Sequence, residues 1–141
     1  MKLTEHFTLE ELTYTDHRQF DNTPDEAAAA NLRRLARLLE DVRSLLSAPL
    51  LVNSAYRSKA VNDAVGSKDT SQHRLGCAAD FRVLGMTPDQ IVRAIIKSPL
   101  PYDQIIREFD RWTHISVPNV STGQPRRQAL IIDKAGVRSF S

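Results

Sequence analysis

Apolar positions along this chain follow two different rhythms. Leu32, Leu35, Leu38, Leu39, Val42, Leu45 and Leu46 recur at intervals of three and four, the period of one helix face. Pro24, Asp25 and Glu26 stand ahead of them, and proline and acids are favoured in a first helical turn, so a long helix opens there. A shorter helix is signalled at Phe7–Leu12, with Thr8 as cap, Glu11 at the capping-box position, and Phe7 and Leu12 as a hydrophobic staple. Thr87 and Pro88 open a further helix. The segments 50–56, 78–83, 102–108, 113–117 and 128–132 are short and partly alternating, and predict strands. Residues 15–23 are polar and unpatterned. Residues 57–77, with Asn62, Gly66, Ser67, Asp69, Ser71 and Gly76, predict an extended loop with room for one helical turn. A loop of that length inside a compact domain is usually functional or disordered. Helices come first and strands follow, with one helix between them, which predicts an α+β domain: N-terminal helices packed on a small antiparallel sheet.

Composition narrows the class. A chain of 141 residues fits one domain, so 1–141 is read as a single unit with a substantial core. No apolar run approaches the ~20 residues a membrane-spanning helix requires. Met1–His6 lacks the apolar stretch of a secretory signal, so the expectation is synthesis in the cytoplasm without a signal peptide. The single cysteine, Cys77, excludes an intramolecular disulfide and any Cys-rich zinc module, and is read as a small buried thiol. Lys and Arg exceed Asp and Glu by 19 to 17, a surplus too small to argue nucleic-acid binding. Glu40 and Asp41 interrupt the arginines of the long helix, so that face is read as solvated and ion-paired.

The candidate chemistry lies in His73, Asp80 and His114. His6 and His17 have no ligand types in useful register and are read as surface residues. Asp80 sits on a predicted strand between small apolar residues, and a carboxylate buried there needs a partner, either a metal or an arginine. His114 alternates with Ile115 and Val117, which puts it with Trp112 and Ser116 on the face away from the core. Two histidines and one aspartate form a three-ligand set of the kind catalytic zinc uses, and other borderline divalent metals suit the same donors. A hydrogen-bonded structural role accounts for the same residues if the tertiary fold keeps them apart.

Ser71-x-His73-x-x-Gly76-x-Ala78-x-Asp80, followed by Trp112-x-His114-x-Ser116, resembles the zinc peptidases of the M15 family. These include D-alanyl-D-alanine carboxypeptidases and phage L-alanyl-D-glutamate endopeptidases that cut peptidoglycan peptides. Ser54-Ala55-Tyr56-Arg57-Ser58, with Val61-Asn62 and Val65-Gly66, is similar to the segment before the first ligand in that family, and Phe7–Leu12 and the long helix match its compact phage members. The resemblance implies a hedgehog/D-Ala-D-Ala-peptidase-like fold, a Zn2+ cofactor held by His73, Asp80 and His114, and Arg57 as the group that holds a substrate carbonyl or carboxylate.

The general base is left open between two acids. Better-known members place an acid where this chain has Arg111, whereas the phage-like subgroup resembles Glu-Phe-x-x-Trp-x-His and selects Glu108, with Asp110 as the alternative. Sheet geometry sets a condition: if residues 109–111 form a three-residue hairpin loop, Glu108 faces Trp112 and shares a face with His114. A two-residue loop would turn it away. Tyr56 and Trp112 are candidates for the substrate groove, and Ser71 and Ser116 for orienting ligands. The implied function is hydrolysis of peptidoglycan stem or cross-link peptides by a monomeric phage or prophage endolysin, which acts on the cell wall after release with the help of a holin-type partner. Two other readings are a catalytically degenerate, zinc-stabilised cell-wall-binding or phage structural module, and nucleic-acid binding through the arginine-rich helix with Arg126 and Arg127.

Overall fold

Amphipathic patterning and capping together account for the helices. In the computed structural model, which describes residues 1–141, the helix α1 spans Leu9–Leu12 and α2 spans Glu26–Leu46. The Thr8 hydroxyl accepts the Glu11 amide, and Phe7 and Leu12 are both buried, so the cap and staple form together. In α2 the expected stripe is buried from Ala28 through Val42, but Leu45 lies beyond the core and is exposed. Asp25 is the cap of α2, its carboxylate accepting the Ala28 amide, so Pro24 precedes the helix instead of lying in its first turn. Helix α3 (Lys59–Ala64) and a 3₁₀ turn (Gln72–Leu75) occupy the segment expected to be mostly loop, each capped by a serine, Ser58 and Ser71. Helix α4 (Pro88–Ile96) carries the capping box of Thr87 and Gln90.

Six strands follow the helices and interleave with them: β1 (Leu51–Ser54), β2 (Ala78–Arg82), β3 (Gln104–Glu108), β4 (Trp112–Ser116), β5 (Gln128–Asp133) and β6 (Gly136–Ser139). They form one sheet in the order β1-β2-β4-β3-β5-β6. The α+β class stands, but the sheet is mixed and not wholly antiparallel, because β5 runs parallel to β3. The reason is positional. Strand β2 already occupies one edge of β4, and β4 ends beside the start of β3. Loop 117–127 therefore delivers the chain to the free edge of β3 at that same end, where Arg127 and Gln128 donate to the Tyr102 and Asp103 carbonyls. Strand β6 escapes sequence reading because all four of its residues are exposed and show no alternation.

The sheet has two unlike faces. Ala79, Phe81, Ile105 and Ile115 are buried in the same core cluster as Leu35, Leu39, Ile91 and Ile95 of α2 and α4. Side chains one residue out of phase point the other way. Asp80, His114, Glu108 and Trp112 thus share the opposite face, as the pairings Asp80 with His114 and Glu108 with Trp112 require.

Candidate metal centre

Antiparallel pairing of β2 with β4 places Asp80 directly opposite His114, where their side chains must meet. The two form a hydrogen bond of 3.0 Å between His114 Nδ1 and Asp80 Oδ1. His73 arrives from the 3₁₀ turn, which Gly76 ends in the left-handed region at φ 76°. That turn is pressed against α2: a Cβ at position 76 would lie 2.7 Å from the Ala28 carbonyl oxygen, so only glycine fits. The close approach brings His73 Nε2 within 3.4 Å of Asp80 Oδ1. The two imidazoles meet edge to face with centroids 5.2 Å apart.

The donor set fits a divalent metal. One ligand atom from each of His73, Asp80 and His114 lies within 4.8 Å of the others, and all three residues are buried. Tetrahedral zinc with ligands at ~2.0–2.1 Å needs neighbouring donors about 3.3 Å apart, close to the 3.4 and 3.0 Å observed here. His73 is already set for this role. Its Nδ1 lies 2.7 Å from the Ala55 carbonyl, which only accepts, so Nδ1 carries a proton and Nε2 is the nitrogen turned toward Asp80. Burial opposes charge on Asp80, yet the two imidazoles outweigh it and hold the carboxyl well below the usual aspartate range.

Arg57 and Glu108 both border this cluster. The Arg57 guanidinium reaches Asp80 Oδ2 at 3.4 Å and donates through Nε to Ser54 Oγ at 3.2 Å. Its backbone amide donates to the His73 carbonyl, which locks the two segments together. Residues 109–111 form a three-residue loop, and Glu108 accordingly pairs with Trp112. Trp112 Nε1 donates to Glu108 Oε2 at 3.0 Å, and Oε1 lies 3.8 Å from His114 Nδ1. Burial raises the Glu108 carboxyl above its ordinary range, the Asp80 charge adds to this, and His114, Trp112 and Arg57 pull the other way. Asp110 is exposed at the turn and pairs with Arg107 Nε at 2.7 Å, away from the histidines.

Other expected positions fall elsewhere. Tyr56 is buried within the core cluster. Ser71 Oγ accepts the His73 amide as the cap of the 3₁₀ turn, and Ser116 Oγ accepts the Gln104 amide. Cys77 is fully buried, burial pushes its thiol up, and Arg34 is its polar neighbour. Arg126 is bound to Asp103, and Arg127 donates to carbonyls at the end of α4, so neither forms a free basic surface. Three supporting residues had no sequence signal. Asn22 bridges Thr13, Tyr56 and Ser58 and so braces the Arg57 segment. Gln72 donates to Asp103 Oδ2 and the Val117 carbonyl, and Asp103 anchors the turn carrying His73 from below.

The chain matches the family described as Peptidase M15 over residues 5–116, a span that includes all three clustered residues, Arg57 and Glu108. No curated protein matches the chain. None of the helices is long and apolar enough to cross a membrane. A match over most of the chain, joined to a buried His-Asp-His set with zinc-compatible spacing, identifies a metallopeptidase: the chain belongs to the zinc-dependent M15 peptidase family.

Proposed function

We propose that this protein hydrolyses peptide bonds in the stem or cross-link peptides of peptidoglycan, with residues 1–141 acting as one peptidase domain. The observation that carries this reading is the convergence of Glu108 and Arg57 on the His73–Asp80–His114 cluster. The three clustered residues would hold the zinc. Zinc, when bound, supplies Lewis acidity that makes water nucleophilic near neutral pH and polarises a carbonyl. Glu108 Oε1, the oxygen not engaged by Trp112, accepts the proton of the attacking water and returns it to the leaving amine. Arg57 donates to the substrate carbonyl oxygen as negative charge develops there, and Ser54 and Asp80 keep its guanidinium in place. Asp110 takes no part, since it is tied to Arg107.

The setting that fits the resemblance to compact phage peptidases is a phage or prophage endolysin acting on the cell wall. The test is mass spectrometry of purified muropeptides incubated with zinc-loaded protein, beside a chelated control. New products that vanish on chelation are expected, and their masses separate loss of terminal D-Ala from cleavage after L-Ala. A folded, zinc-replete sample that releases nothing from several peptidoglycan types would leave the zinc-stabilised binding module as the better account.

A further inference from the structure

A groove with a volume near 570 Å³ lies between the β3–β4 and β5–β6 turns, one residue from the proposed base. Phe109, Arg111 and Trp112 wall one side, and Asp133 and Lys134 the other. Its acids are already neutralised: Asp110 pairs with Arg107 at 2.7 Å, and Asp133 is held by both Arg138 nitrogens at 2.9 and 2.8 Å. Arg111 and Lys134 have no carboxylate within ion-pair distance, so the groove carries two uncompensated positive charges.

The aromatic wall points the same way. Phe109 is 45% exposed and sits in the left-handed region at φ 54°, and Asp110 follows it at φ 52°. Non-glycine residues there cost on the order of 1–3 kcal/mol each. The Phe109 amide donates to the Ile132 carbonyl at 2.8 Å, which clamps this turn against β5 and holds the phenyl ring beside Trp112, centroids 6.0 Å apart. An exposed ring held in a costly backbone state contributes little to the fold. Trp112 in turn donates to Glu108, so the wall of the groove also holds the base.

We infer that this groove is a substrate subsite for a carboxylate-bearing residue of the stem peptide, whose apolar part packs on Phe109 and Trp112 while its carboxylate lies between Arg111 and Lys134. The inference rests on the peptidoglycan-peptide reading above. Size and charge select this occupant. The volume lies in the ~300–1,000 Å³ range of small-ligand pockets, and two separate cations form no continuous track for a polyanion.

The chain's single tryptophan, Trp112, lies in the groove and reports its occupancy directly. Zinc-loaded protein is mixed with a stem peptide bearing a free glutamyl α-carboxylate, or with the same peptide as its carboxamide, and fluorescence is read in the first seconds. The free carboxylate should bind roughly tenfold more tightly. The double variant Arg111→Gln/Lys134→Gln should no longer distinguish the two peptides, and Phe109→Ala should weaken both alike. Equal binding of the two peptides by the wild type, or a preference that survives in the double variant, would overturn the subsite. Hydrolysis without carboxylate preference would remove the subsite and leave the peptidase reading standing. Carboxylate preference without hydrolysis by the wild type would do the reverse.

Discussion

Glu108 is held by one oxygen and free at the other, the arrangement a general base needs. Glu108→Gln keeps the shape and the Trp112 contact while removing the proton acceptor of the proposed mechanism. Turnover of a stem peptide should fall about 10²–10⁴-fold with zinc stoichiometry unchanged, measured by product release and metal analysis on the same sample. Arg57→Lys keeps the charge but loses the planar fork that spans Ser54 and Asp80, and kcat should drop roughly 10–100-fold with a smaller change in zinc content. His73→Ala should instead abolish zinc binding, since it removes the nitrogen facing Asp80. At this scale the sequence was informative wherever residue type restricts chemistry, as with the two histidines, Asp80 and Arg57. It was uninformative for Tyr56, where an aromatic ring suits a groove and a core equally well; the fold packs that ring into the core cluster.

Elements convert these residues into a site. The 3₁₀ turn presents His73 only because Gly76 lets the chain reverse against the Ala28 carbonyl. Gly76→Ala forces a Cβ into that 2.7 Å gap and into a left-handed backbone. A destabilisation of about 2–4 kcal/mol is expected in denaturant titrations, together with weaker zinc retention because His73 is displaced. The β3–β4 hairpin makes an equally discrete choice. Its three-residue loop puts Glu108 on the His114 face, and removal of one loop residue would turn the carboxylate toward the core side. Turn residues 109–111 lack glycine, so their two left-handed positions could not be anticipated from the amino acids. Helix α3 was hidden for a related reason: six residues show too little periodicity to be distinguished from loop.

The whole molecule is joined beneath the site by Asp103. Its carboxylate accepts from the Arg126 amide and guanidinium and from Gln72, so one buried acid connects β3, loop 117–127 and the turn that carries His73. Burial opposes its charge, but these hydrogen bonds prevail and hold its carboxyl below the usual aspartate range. A carboxyl depressed on folding contributes stability above its unfolded value, ~3.9, and loses that contribution as pH falls through the folded value. Asp103→Asn should therefore cost about 1.5–3 kcal/mol near neutral pH, and the gap from wild type should narrow in denaturant melts at about pH 3. Zinc binds the folded site and not the open chain, so a chelator should lower Tm, by an amount that grows with the zinc concentration it removes.

Local rules were enough for part of this protein. The caps at Thr8 and Thr87, the buried stripe of α2 and the strands bearing Asp80 and His114 follow from neighbours a few residues apart, where sequence spacing and spatial spacing are nearly the same, whereas the ligand set came from the resemblance to the M15 family. Tertiary structure alone decided the rest. Which strand lies beside which made β5 parallel to β3, because loop 117–127 enters the outer edge of β3 at the end where β3 itself begins. Contacts between Asp103 and Gln72, or between Gly76 and α2, join residues distant in the chain, and no local pattern encodes them. The groove beside Trp112 is of the same kind: it exists only because two hairpin turns, separated by more than twenty residues of chain, lie at the same end of the strands of one sheet.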